Sequence, residues 1–164
     1  MENQTMTIAI GSDHRGFAAK ESIKKALKAR GIEVVDVGCE STESCDYNDF
    51  GEMVAAGVET GKYPLGIAIC NSGLGMSIAT NRYPHVRATL CHNADMAKMS
   101  RQHNNSNLLV IGAVLQPESE LPGIVDAWLD EKFPEENRQV RRANKLTNAG
   151  NRIIEVAHLQ DEDR

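Results

Sequence analysis

In the stretch "IAICNSGLGMSIATNR" (residues 67–82) a single cysteine, Cys70, stands between an apolar run and a glycine-rich turn. The run reads as a buried strand and "GMSIATNR" as the start of a helix. Cys70 is therefore expected where unpaired backbone N–H groups favour a thiolate. Gly73 and Gly75 let such N–H groups approach an anion closely, and Ser72 adds a hydroxyl donor. A base facing donors of this kind is what enolate chemistry requires. A buried cysteine acting as a small hydrophobe is the plain alternative.

Asp13 and His14, in "GSDHRG", set a carboxylate beside an imidazole at a second turn. They can divide proton transfer and anion binding, or Asp13 can cap the next helix while His14 is merely exposed. His103 and Asn104, in "SRQHNN", end a helical run, where a histidine also serves as a cation at the negative end of the dipole. Arg138 and Arg142 are four apart on one helix face; they can grip a phosphate together or form a solvated basic face. Cys39, Cys45 and Cys91, with Met96 and Met99, read as core or near-core residues. No CxxC pair, GxGxxG turn or GxxxxGK[ST] loop occurs, so neither a metal nor a nucleotide cofactor is expected.

These residues need elements to hold them. Strands are expected over 6–11, 33–38, 65–70, 86–91 and 107–112. Helices are expected over 17–30, from Phe50, from Gly75, over 93–104 and over 120–133. Short, continuous Val- and Ile-rich strands are those buried on both faces. Alternating with helices, five of them predict an α/β fold with a parallel sheet covered on both sides. Ligands then bind beyond the carboxyl ends of the strands, where the strand order reverses. Those ends carry Gly11 to His14, Gly38–Cys39, Cys70 to Gly73 and Cys91–His92. The tail from 134 to 164 reads as a polar helix leaving the domain and ending in the acidic "DEDR".

At 164 residues the chain is one domain long, read as 1–164 with 134–164 as a helical extension. With 41% hydrophobic but only 4% aromatic residues, the core must be aliphatic. A net charge of -5 argues against nucleic acid as a partner. The start lacks the basic and apolar segments of a signal peptide, so the four cysteines are expected reduced in a cytoplasmic compartment. No apolar run is long enough to cross a membrane.

Taken together, "GSDHRGF", "ICNSGLGMSIATNR", "SRQHNN" and "RQVRR" resemble the type B ribose-5-phosphate isomerase family, which includes the galactose-6-phosphate isomerase subunits. The resemblance runs from about Thr7 to Leu146. It implies a Rossmann-like αβα sandwich, a homodimer or tetramer, and interconversion of aldose and ketose phosphates without metal or nucleotide. The expected reaction is ribose 5-phosphate to ribulose 5-phosphate, in the non-oxidative branch of the pentose phosphate pathway. By resemblance, Cys70 matches the base that shuttles a proton between C2 and C1. Ser72, Gly73 and Gly75 match the loop holding the enediolate oxygens, with Asn71 among the substrate-facing positions. Asp13 and His103 match the groups that open the furanose ring. His14, Arg138 and Arg142 match phosphate ligands, Tyr47 a sugar contact, and Asn104 a group that steadies the enediolate. His103 and Asn104 would come from the neighbouring subunit.

Two positions depart from the family pattern. Asn71 replaces a glycine after the cysteine, and Val114 replaces an arginine that reaches the phosphate. Losing one guanidinium weakens phosphate binding by about 1.5–3 kcal/mol, unless Arg15 or Arg87 compensates. Other sugar phosphates (galactose 6-phosphate, allose 6-phosphate, a tetrose phosphate) and a non-catalytic sugar-phosphate sensor are the alternatives. A signalling receiver domain is rejected: it needs clustered acids after strand one, an aspartate ending strand three and a lysine after strand five.

Overall fold

Along the central strands bulky and small residues alternate, and this decides what packs on each face. Ile8 and Ile10 face one side of the first strand, Ala9 the other; Ile67 and Ile69 likewise alternate with Ala68. The computed structural model describes residues 6–134 and 137–162. In chain order the elements are β1 (Thr7–Ser12), α1 (Phe17–Ala29), β2 (Glu33–Asp36), α2 (Tyr47–Glu59), β3 (Leu65–Cys70) and α3 (Leu74–Thr80). There follow β4 (Ala88–Leu90), α4 (Ala94–Asn104), β5 (Leu108–Gly112), α5 (Leu121–Asp130) and α6 (Asn137–Glu162). The five strands form one parallel sheet in the order β2-β1-β3-β5-β4.

The connections β1 to β2 and β4 to β5 run one way across the sheet; β2 to β3 and β3 to β4 run the other. Right-handed crossovers therefore place α1 and α4 on one face, where α5 joins them, and α2 and α3 on the opposite face. The expected three-layer αβα sandwich is present. Ile10, Ile23, Ile67, Ile111 and Trp128 fill the first interface. The second is tighter. A Cβ at Gly11 or Gly66 would lie 2.8 or 2.6 Å from Val54, so the bare backbone there lets α2 sit close to the sheet. That approach carries the start of α2, Tyr47, to the carboxyl edge.

Two strands are shorter than their sequence patterns. Val86 and Arg87 precede β4 because the Asn107 side chain takes the Arg87 N–H at 2.7 Å. Past β2 the chain bends at Gly38, where a Cβ would lie 2.5 Å from the Ser12 nitrogen. The terminal helix also differs from expectation. α6 lies back on the body, with Gln139, Ala143 and Gly150 buried. The end of the "DEDR" tip, residues 163–164, lies outside the described residues. Among the described residues, no helix is long and apolar enough to cross a membrane.

Lys20 is the one buried lysine among the described residues, 1% exposed on the apolar face of α1. Its Nζ donates to both Asp36 carboxylate oxygens (3.0 and 2.8 Å) and to the Cys39 carbonyl (2.7 Å). Burial alone would raise the Asp36 pKa. Hydrogen bonds from Lys20, Lys24 and the Gly38 N–H outweigh it and hold the carboxyl below the ordinary range. A depressed carboxylate contributes stability above its unfolded pKa of about 3.9, and that contribution disappears as pH falls through the folded value. Asp36→Asn leaves the buried Lys20 ammonium without its main counter-charge and is therefore expected to cost about 3 kcal/mol at pH 7, and much less at pH 3. Urea unfolding at the two pH values measures this.

Candidate active site

Cys70 is the last residue of β3, paired in register with Gly112 of β5, and its side chain is buried on the α2–α3 side of the sheet. The following turn folds back over it, so that the Gly73 N–H donates to the Cys70 Sγ at 3.2 Å. This needs a left-handed backbone at Gly73 (φ 76°), where a Cβ would also overlap Leu90 and lie 3.1 Å from the Gly112 nitrogen. The turn is pinned to the end of β5: Ala113 N–H donates to the Cys70 carbonyl (2.9 Å) and Val114 N–H to that of Asn71 (3.1 Å). The Ser72 Oγ accepts the Leu74 N–H at 3.4 Å.

Gly75 has a use that its sequence context does not indicate. The Tyr47 ring occupies the space its Cβ would take, with the phenol oxygen 2.6 Å from that point. Gly75 thus seats Tyr47 at the first turn of α3. The two line an open groove of about 450 Å³ with Asn48, Glu52, Arg82 and Tyr83.

Asp13 follows β1, whose last residue pairs with Ile69 beside Cys70. It is 5% exposed, and its Oδ1 accepts the Gly16 N–H at 2.9 Å, closing the turn into α1. The bond closes the turn ahead of α1 and does not cap the helix, whose N-cap is Gly16 with no side-chain cap. His14 bridges to the loop after β2: its Nδ1 lies 3.2 Å from both the N–H and the carbonyl of Cys45. When Nδ1 accepts the Cys45 N–H, the neutral ring carries its proton on Nε2, a donor for an anion. Burial pushes the Cys45 thiol up, against the opposing His14 contact.

Asp13, His14, Tyr47, Asn71, Ser72, Gly73 and Gly75 thus gather at the carboxyl edge around Cys70. The others do not. His103 and Asn104 end α4, which runs back toward the start of β5, and both are exposed at the amino edge of the sheet. His103 and Arg138, in the first turn of α6, line a polar pocket of about 340 Å³ with Gln102, Lys132 and Gln139. Arg142, one turn on, is exposed. Strands of five and six residues, at about 3.3 Å each, hold the two groups roughly 15–20 Å apart. Arg87 is also held at the amino edge, donating to the Asn105 and His85 carbonyls, so it does not stand in for an arginine at Val114.

Sequence reasoning passed over Lys20 and Gly112. Lys20 stands in the apolar stripe of α1 with Ile23 and Leu27, and a lysine there signals a buried pairing. Gly112 ends "NLLVIG", and a Cβ on it would meet the Ser72 carbonyl group that crosses it.

Comparison with known proteins bears on this arrangement. Residues 8–146 match the sequence profile of the Ribose/Galactose Isomerase family. The chain is 40% identical over 140 residues to ribose-5-phosphate isomerase B of Escherichia coli, covering 85% of this chain and 93% of the relative. It is 35% identical over 130 residues to D-erythrulose-4-phosphate isomerase of Pectobacterium atrosepticum, covering 78% and 85%. The fold superposes on ribose-5-phosphate isomerase B of Clostridium thermocellum with a TM-score of 0.86 at 43% identity, covering 90% of this chain and 99% of that one. With profile, sequence and fold agreeing over most of its length, the chain belongs to the ribose/galactose isomerase family of aldose–ketose isomerases.

Proposed function

We propose that the chain interconverts ribose 5-phosphate and ribulose 5-phosphate through an enediolate, with Cys70 as the proton shuttle. The observation that carries this reading is the Gly73 N–H directed at the Cys70 sulfur, on a strand end beside the Asp13 turn. Ribose 5-phosphate is mostly a closed ring. Asp13, whose Oδ1 is held by the turn, takes the O1 hydroxyl proton at its other oxygen while His103 of a second copy protonates the ring oxygen. The Cys70 thiolate then removes the C2 proton, and the C–H electrons form the C1–C2 double bond as negative charge grows on O1. Ser72 and the unpaired N–H groups at the start of α3 meet that charge, and Asn104 steadies it. The O2 hydroxyl proton passes to O1, and as the C2=O2 carbonyl forms the C1–C2 electrons take the proton back from Cys70 at C1, giving the ketose. His14, Arg138 and Arg142 hold the phosphate and keep the carbon chain in register.

The site requires two copies, because its halves lie at opposite edges of one sheet. A two-fold dimer brings the α4 end of one copy to the β3 edge of the other. The exposed Leu74, Ile78, Met99, Val114 and Leu115, all above 45%, supply apolar surface for such an interface. Met99, expected near the core, thereby has a reason to face outward. Four free cysteines fit a reducing, cytoplasmic compartment. The reaction belongs in the non-oxidative pentose phosphate branch. A tetrose phosphate is the second reading, favoured by the erythrulose-phosphate relative and by Val114, which is 65% exposed and carries no charge.

In D2O, the wild type is expected to introduce deuterium at C2 of ribose 5-phosphate, with Cys70→Ala and Cys70→Ser slower by about 10²–10⁴. NMR exchange measures this, and exchange surviving Cys70→Ala would assign the base elsewhere. Mixing Cys70→Ala with His103→Ala subunits is expected to restore about a quarter of wild-type activity, since half the dimers then hold one intact site; no recovery would place each site within one copy. Val114→Arg is expected to lower KM for ribose 5-phosphate about tenfold or more, from the added charge-assisted contact. Steady-state kinetics with a tetrose phosphate alongside shows which sugar gains.

A further inference from the structure

Arg138 and Arg142 stand exposed in the first two turns of α6, and the helix is held on its other side at both its start and further along. Gln139 and Ala143 are buried early in the helix, and Gly150 is buried against Pro84, whose carbonyl oxygen would collide with any Cβ there. The next residue of each partner makes a polar link. The His85 Nε2 lies 2.7 Å from the Asn151 Oδ1, and its Nδ1 lies 2.8 Å from Oε1 of Glu59, the last residue of α2. The His85 N–H also donates to the Glu59 Oε2 at 2.8 Å. Both ring nitrogens face oxygen acceptors. A neutral imidazole has one N–H to offer and an imidazolium has two, so the charged ring satisfies both partners.

We propose that His85 is a positioning residue: by clasping α6 to α2 through Asn151 and Glu59, it sets where Arg138 and Arg142 stand and so how tightly a sugar phosphate is held. This rests on the reading of α6 as the bearer of phosphate ligands. Asn151 lies nine residues beyond Arg142, about 13 Å along the helix, so freedom at the clasp is transmitted along a rigid rod to the guanidinium groups.

The surroundings favour the charged ring. The Asn151 and Glu59 hydrogen bonds raise the His85 pKa above its ordinary value, while burial and the nearby Arg87 oppose them. Glu59 from α2 and Arg87 before β4 are the charged groups facing it, and Asn151 from α6 is neutral. A raised histidine pKa means the clasp is complete at low pH and is lost as pH rises through the folded value.

The test compares wild type with His85→Gln and Asn151→Ala by amide hydrogen exchange over 137–152 and by kcat and KM for ribose 5-phosphate at pH 6 and pH 9. Arg142→Ala serves as the control. The expected result is α6 exchange at least tenfold faster in both variants and KM at least fivefold higher at pH 6, with kcat within twofold. Wild-type KM should approach the variants' values at pH 9. Unchanged exchange would overturn the clasp. Faster exchange with unchanged KM would overturn the positioning role. If Arg142→Ala leaves KM unchanged, the phosphate reading of α6 fails and takes the positioning role with it, while exchange still judges the clasp.

Discussion

The Gly73 N–H reaches the Cys70 sulfur only because the backbone turns left-handed there, and the carboxyl edge is arranged around that turn. A side chain at Gly73 would meet Leu90 of β4, and one at Gly112 would meet the turn itself. Two N–H groups after β5 then fasten the turn at the Cys70 and Asn71 carbonyls. The result is a thiol fixed against a backbone donor, an arrangement of the kind that leaves little reorganisation for a reaction in which charge develops beside it. Tyr47 depends on the same segment, because its ring fits only where Gly75 has no side chain.

A parallel sheet imposes a second constraint. Every strand ends at the same edge, and every crossover helix ends at the other. Residues at a helix C-terminus, such as His103 and Asn104, cannot meet a residue at a strand C-terminus in the same chain. A site needing both types must be completed by another copy. An apolar outer surface beside the edge strand β4, with a short three-residue ladder, is where such a copy can pack without leaving long unpaired strand groups.

The fold was legible where burial is complete. β3 and β5, buried at every position, read as continuous apolar runs, and "LGIAIC" was placed to the residue. The edge strands were overextended, because Asn107 and the close approach of Gly38 to Ser12 cut them short and neither effect shows in local hydropathy. α6 read as a polar helix leaving the domain because its contacts run through Ala143 and Gly150, small residues with almost no hydrophobic signal, and through an Asn–His–Glu link. Within the site, residue types with unusual chemistry were found, and the roles of glycines were less so. "SGLG" reads as an anion cradle, and its spacing gives no sign that Gly73 also shapes the turn or that Gly75 also admits a ring carried by another helix. Spacing along the chain cannot reveal which distant side chain fills a gap.

The placement of charge sets the start of α6 apart from the Cys70 turn. The chain carries a net charge of -5, yet Arg138, Arg141, Arg142 and Lys145 fall within eight residues at the start of α6 and are all exposed. A dianionic phosphate is drawn to such a local field whatever the net charge, since charges beyond a Debye length of about 8–10 Å are largely screened. Cys70 is buried instead at the end of β3. On the proposed assignment the two sit on different elements, so the span from phosphate to reacting carbons can change through α6 and the Val114 segment while the Cys70 turn stays as it is. Relatives named for a pentose phosphate and for a tetrose phosphate, at 40% and 35% identity, are what that separation permits.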